Sequence, residues 1–205
     1  MKPITLVFCL LSLALFFSSG FVNRVEMAQP QWNNLLARIQ SGDLVFRLGH
    51  GFISESLKKF SLKDSRYSHA GIISMENGKP IVYHLLGGES SATVLQKETL
   101  EKFCSPGEAV SFAVYRAPLH QAQKKSVDSL NQFYFHARLR YDSRFDLATD
   151  SVMYCTEYVY KVLIQAMGKN NILIPSSVLS GQAYMACDDI YLNATMKKIF
   201  SFDYE

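Results

Sequence analysis

Three residues of this chain are of the types that make a nucleophile and its base: Cys155, His69 and His84. A thiol attacks a carbonyl when a neighbouring base takes its proton and a third group holds that base in orientation. Cys155 opens a stretch in which Val159, Val162, Leu163, Ala166 and Met167, with Val152 ahead of them, fall on one helical stripe. Asp150 and Ser151 are the expected N-caps and Gly168 the stop. The spacing predicts that Cys155 lies in the first turn of a buried helix. Unpaired N–H groups and the helix dipole favour a thiolate there and should lower the thiol pKa. The competing reading is a small apolar residue packed in a core.

His69 and His84 fall on two predicted strands, 67–75 and 80–86, joined by Asn77-Gly78, a strong hairpin turn. With the turn there, the two histidines are within one diagonal step of each other, about 5–8 Å. One imidazole can then orient the other and fix the tautomer that leaves a bare nitrogen for the thiol. The alternative is two half-buried histidines on a sheet face. His120 and His136 sit on a charged helix and read as surface residues. His50 lies between two glycines and has no assigned role.

The elements that must position these groups are mixed. Trp32, Leu35, Leu36 and Ile39 space a short helix, 43–48 reads as a strand, and Ile53, Leu57 and Phe60 space a second short helix. A short strand over 93–95, a helical turn over 98–103 and a strand over 110–116 follow. Next come a helix over 119–138, a polar aromatic loop over 139–146, the Cys155 helix, a proline-broken loop over 170–180 and a strand-like tail over 188–202. This order, with antiparallel hairpins and no internal repeat, predicts an α+β fold in one domain.

The segments Gly42-Asp43-Leu44-Val45-Phe46-Arg47, Tyr67-Ser68-His69-Ala70-Gly71-Ile72, Tyr141-Asp142 and Tyr154-Cys155-Thr156-Glu157 resemble the YiiX/YaeF-type permuted papain-like amidases of the NlpC-like papain superfamily. The resemblance runs over about residues 40–180, and histidine before cysteine is the order of the permuted members. It implies a circularly permuted papain-like fold, with an antiparallel sheet packed against the nucleophile helix. It implies Cys155 as nucleophile, His69 as general base and His84 in the third, polar position. It places Tyr141, Asp142, Tyr154 and Glu157 on the substrate side. Tyr141-Asp142 also reads as a loop capping the Cys155 helix, and Glu157 as a first-turn acid favoured by the dipole. Asp43 reads as a turn residue that binds backbone amides.

Residues 1–20 join a short positive start, an apolar run from Ile4 to Phe17 and the small residues Ser18-Ser19-Gly20. This predicts a secretory signal peptide, or alternatively an uncleaved anchor, ahead of a hydrolase domain over 21–205. Without the leader one cation, Lys2, is lost, so the formal charge falls from +3 to +2. That leaves no basic stripe for nucleic acid. Three cysteines remain, 104, 155 and 187, an odd number for an exported chain. The economical arrangement is a Cys104–Cys187 disulfide, or two inert thiols, with Cys155 free. No Cys-x-x-Cys or His-Glu-x-x-His spacing occurs, so neither a metal nor another cofactor is expected.

The expected protein is therefore an exported cysteine hydrolase of the periplasm or cell envelope, cleaving a peptide or isopeptide amide, cell-wall fragments included, through a thioester. A lipid-directed acyltransferase or thioesterase of the same fold is one rival, marked by apolar residues such as Phe52, Ile53 and Leu57 in the cleft. A non-catalytic binding module is the other. The expected partner is an amide- or acyl-bearing peptide, cell-wall fragment or lipid, with no nucleic acid and with peripheral association to membrane or envelope.

Overall fold

The computed structural model describes residues 27–87, 94–168, 172–175, 177–179 and 181–204. The expected leader lies outside them, as do residues 88–93 of the loop after His84 and residues 169–171, 176 and 180 in the proline-broken loop.

Asn77 and Gly78 both take positive φ, 49° and 76°, the turn whose twist matches flanking antiparallel strands. They join β2 (His69–Glu76) to β3 (Lys79–His84) in the register Ile72↔Tyr83 to Glu76↔Lys79. The free edge of β2 pairs with β1 (Asp43–Leu48), which pairs with β5 (Ser111–Arg116), which pairs with β10 (Lys197–Asp203). β4 (Gln96–Thr99) closes the other edge against β3. The result is an antiparallel six-stranded sheet, ordered β10-β5-β1-β2-β3-β4.

Alternation along the strands builds two cores. Leu44, Phe46, Ala70, Ile72, Tyr83, Ala113 and Tyr115 pack against α4 (Gln121–His136) and α5 (Cys155–Met167), whose Val127, Val159, Val162 and Leu163 are fully buried. Val45, Ile73, Val82, Phe112 and Val114 pack on the opposite face with Trp32 and Leu35 of α1 (Gln29–Leu36) and Leu100 and Phe103 of α3 (Leu100–Phe103). Each Val, Leu, Ile or Phe among them contributes about 1.5–3 kcal/mol on burial. α2 (Gly51–Leu57) runs on into a 3₁₀ turn, Lys58–Phe60, at one end of the sheet.

Three expectations change. The Cys155 helix is not capped by Asp150 or Ser151, because Val152–Met153 forms β7, a parallel partner of β6 (Arg140–Tyr141). Residues 96–99, read partly as a helical turn, form β4. The strand-like tail opens instead with α6 (Cys187–Tyr191), following β8 (Ser177–Leu179) and β9 (Gln182–Tyr184), and only then becomes β10. Cys104 and Cys187 are free and buried, one in each core. They are thus the two inert thiols rather than a disulfide.

Candidate active site

β7 delivers the chain in extended form to Tyr154 (φ −94°, ψ 173°), and Cys155 is the first residue of α5. The Tyr154 N–H donates to Glu157 Oε2 at 3.2 Å, closing the helix start. The Tyr154 hydroxyl accepts the Met185 N–H at 2.7 Å and ties that start to the segment after β9. Burial raises the Cys155 thiol above its ordinary value; the backbone N–H groups of Ala70, Thr156 and Cys155 itself oppose this but do not outweigh it. The lowered thiol expected from the helix start is therefore reversed. The N–H groups are present, but the low-dielectric surroundings favour the neutral form.

The hairpin brings the imidazoles together as the turn requires. His69 Nε2 and His84 Nδ1 are 3.0 Å apart, and both rings pack on Phe103. Gly71 sits beside them because a Cβ there would come within 2.5 Å of Val82 Cγ1 and 3.4 Å of His84 Cβ. The third group of the set is one the spacing did not reveal. Glu98 lies on β4 opposite Val82, diagonal to His84 on the same face. Its Oε1 is 3.2 Å from His84 Nε2, a buried atom that makes no well-aligned hydrogen bond among the described residues.

Burial lowers His69 well below its ordinary value, helped by His84 and Arg47. Burial also lowers His84, although Glu98 pulls the other way. Burial works to raise Glu98, but His84, Lys102 and Arg47 hold its carboxyl below the usual range. Both imidazoles are thus neutral and Glu98 is an anion. A carboxylate only accepts, so His84 carries its proton on Nε2 and its bare Nδ1 accepts from His69 Nε2–H. His69 Nδ1 is left without a proton, as a base requires.

Arg47 completes this side. It pairs across the strands with His69, lies 4.3 Å over the Phe103 ring and donates to the Phe103 carbonyl at 2.9 Å. Its guanidinium is 3.8 Å from Glu98 and 3.6 Å from Glu108. An arginine within a buried strand was the available signal for it, since a buried charge must be paired. Glu98 had no such signal, because only the pairing of β4 with β3 brings it to His84.

Two hollows meet at Cys155. One, of about 250 Å³, is lined by Arg47, His50, Ser68, His69, Glu108 and Tyr141 among others. His50 is fixed there by a 2.9 Å contact from Nε2 to the Pro106 carbonyl. The other, of about 30 Å³, is walled by Phe60, Tyr141, Phe145, Tyr154, Tyr184 and Met185. Tyr141 and Tyr154 therefore line the cleft. Asp142 and Glu157 do not, which corrects their placement on the substrate side. Asp142 is buried and accepts the Arg144 and Asp146 N–H groups at 2.8 and 3.0 Å, clasping its own loop. Glu157 is fully buried, caps α5 and pairs with Lys161 at 2.9 Å. Asp43 holds the Gln40 N–H as expected and also makes an ion pair with Arg116 at 2.8 Å.

A family model described as permuted papain-like amidase enzyme, YaeF/YiiX, C92 family, matches residues 38–196. The chain belongs to this family. It is 27% identical over 131 residues to the uncharacterized protein YiiX of Escherichia coli strain K12, an alignment spanning 63% of this chain and 59% of that protein. The crystal structure of metalloprotein yiiX from Escherichia coli O157:H7 shares the fold, with TM-score 0.63 at 20% identity over 80% of this chain and 97% of that one. Among the described residues of the present chain, no group of three His, Cys, Asp or Glu is placed to hold a metal. His69, His84 and Glu98 are instead committed to one another, and the donor set does not fit a metal.

Proposed function

We propose that this protein is a cysteine amidase in which Cys155 is the nucleophile, His69 the base, and His84 backed by Glu98 the group that orients it. The observation that carries the reading is that His69, the end of the run Glu98–His84–His69, and Cys155 line one cleft, with His69 Nε2 taken by His84 and Nδ1 the nitrogen left for the thiol. With thiol and imidazole both neutral at rest, activation is general-base catalysis within the attack rather than use of a preformed ion pair. Cys155 Sγ bonds to the amide carbon as His69 Nδ1 takes the thiol proton, and the carbonyl oxygen becomes an oxyanion facing the Cys155 N–H. Collapse breaks the C–N bond and His69 returns the proton to the leaving amine. Water, deprotonated by His69, then cleaves the thioester to the acid and free Cys155.

The test is hydrolysis of peptide, isopeptide and lipid amides by the purified protein, with mass spectrometry of the trapped thioester. An acyl group on Cys155, absent in Cys155→Ala, is expected. Failure of all three amide classes to acylate Cys155 would sink the reading and leave the binding module. Transfer of the acyl group to an amine instead of water is a second reading, supported by Ile53 and Leu57 in the cleft wall. Phe52, named with them, is 84% exposed and lies outside it.

Export to the periplasm or cell envelope is part of the same proposal, supported by the apolar run at 4–17 and by the exposed Phe52 and Ile53, which suit peripheral membrane contact. N-terminal sequencing of secreted material should begin near Phe21. An intact Met1 in membrane fractions would show an anchor.

A further inference from the structure

We propose that the acyl part of the substrate sits in the aromatic hollow, on the Tyr184 side of Cys155, and that this hollow selects a short, uncharged acyl group. The proposal rests on the amidase reading of Cys155 and names the substrate class that the cleft takes.

The tetrahedral carbon on Sγ carries three further groups: the oxyanion, the leaving nitrogen and the acyl chain. The oxyanion turns to the Cys155 N–H, and the leaving nitrogen must face His69, which supplies its proton. His69 lines the larger hollow, together with Arg47 and Glu108. It does not line the smaller one, which takes the remaining direction. A polar amine thus leaves through the charged side, and the acyl chain rests among the aromatic rings.

The walls of the small hollow are set before substrate arrives. Phe60 stacks on Phe145 with centroids 5.2 Å apart, Tyr184 meets Phe60 edge-on at 6.0 Å, and Phe145 lies 4.9 Å from Tyr154. The Tyr184 hydroxyl donates to the Phe60 carbonyl and the Tyr154 hydroxyl accepts the Met185 N–H, so these polar atoms are already engaged. None of the described residues lining the hollow is charged. A carboxylate or ammonium entering it would lose water and gain at most the hydroxyls of Ser61, Ser68, Tyr141 and Thr156, with no counter-charge.

Size follows from volume. One water fills about 10–15 Å³ of such space, so about 30 Å³ admits a chain of roughly two to four carbons counted from the carbonyl. Phe145 is the wall residue whose backbone is held most firmly. Its φ of 56° lies in the left-handed region, which a bulky residue seldom adopts. The Asp142 carboxylate holds that backbone by accepting the N–H groups on either side of Phe145, those of Arg144 and Asp146. The strained residue keeps its ring in the wall of the hollow, against Phe60 and Tyr154.

The test uses the full chain with 4-nitrophenyl acetate, butyrate, decanoate and hemisuccinate, following nitrophenolate release and the mass of acylated Cys155. Butyrate should acylate at least about tenfold faster than decanoate, and about tenfold or more faster than hemisuccinate, which adds a charge at similar length. Phe145→Ala should raise the decanoate-to-butyrate ratio by about tenfold and leave hemisuccinate slow. Phe145→Leu, a milder opening, should move the ratio the same way by less and keeps the test open should the alanine variant not fold. Equal rates for butyrate and hemisuccinate, or a chain-length preference unmoved by opening at Phe145, would overturn the assignment of the hollow. Labelling by none of the four esters would instead strike the nucleophile reading itself, and this proposal with it.

Discussion

The two sides of Cys155 are built on opposite plans. On the wide side the groups come mostly from strands and are polar, and each is held by another: Arg47 by Glu98 and Glu108, the neutral His84 by the anionic Glu98. On the narrow side the groups come from loops and a helix start, and rings hold rings, Phe60 on Phe145 and Phe145 on Tyr154. A sheet edge fixes polar atoms to within a hydrogen bond because the backbone ladder fixes the strands. A loop does so only where a side chain such as Asp142 clasps it. Proton transfer needs the first kind of precision, and selection by shape is served by the second.

The comparison breaks most sharply where the charged side does its chemistry. Cys155→Ala and His69→Ala should each lower turnover on the order of 10⁴-fold or more, with far-UV circular dichroism near wild type, because the two groups act as a unit. Retained turnover in either would dissolve the division of labour.

Glu98→Gln comes next. A carboxamide can donate to His84 Nε2 and move the proton to Nδ1, where it opposes His69 Nε2–H. We expect kcat to fall on the order of ten- to a thousandfold, His84→Ala to fall in the same range, and the double variant to be no worse than the larger single loss. Wild-type kcat in Glu98→Gln would remove Glu98 from the set, and additive losses would uncouple it from His84.

A smaller effect concerns the resting proton. Because burial raises the Cys155 thiol, its thiolate is scarce at neutral pH, and alkylation by iodoacetamide should keep climbing as pH rises through 9, the ordinary thiol value. A rate already level between about pH 6 and 8 would show a standing thiolate and return the helix start to dominance.

The smallest effect is on stability alone. Burial lifts Glu157 to about 7, and Lys161 lowers it only in part. An acid whose folded value exceeds its unfolded value near 4.5 gives the fold most support below 4.5, and that support is lost as pH rises to about 7. Lys161, in which bonds to Asp150 and Glu157 outweigh burial, stays charged throughout and does not offset the loss. Urea unfolding should show a decline on the order of 1–3 kcal/mol across that window. Glu157→Gln keeps a capping oxygen for the Tyr154 N–H and should flatten the curve.

Local rules carried the sequence a long way. Asn77-Gly78 admits one tight turn, so the register of β2 and β3 followed from it, and with the register came the meeting of His69 and His84. Asp43–Leu48 was readable as a strand and 155–167 as a buried helix because apolar periodicity is local. The start of that helix was not, since Val152 and Met153 are taken by a strand partner 12 residues away. The same holds for Asp142 and Glu157: both were rightly placed near the cysteine in sequence, yet each turns its carboxylate to backbone or lysine rather than to the cleft.

By itself the sequence determined the nucleophile candidate and its imidazole pair, which rest on residue type, short-range turns and periodicity, and its motifs carried the resemblance to the permuted papain-like class. Only the tertiary structure decided which acid stands behind His84, which charge state the thiol takes and what lines each side of it. The physical reason is shared. Pairing Glu98 with His84, desolvating Cys155 and stacking Phe60 on Phe145 join segments 14 to 85 residues apart, and solvent exclusion at such junctions is a property of the packed chain rather than of any stretch of it.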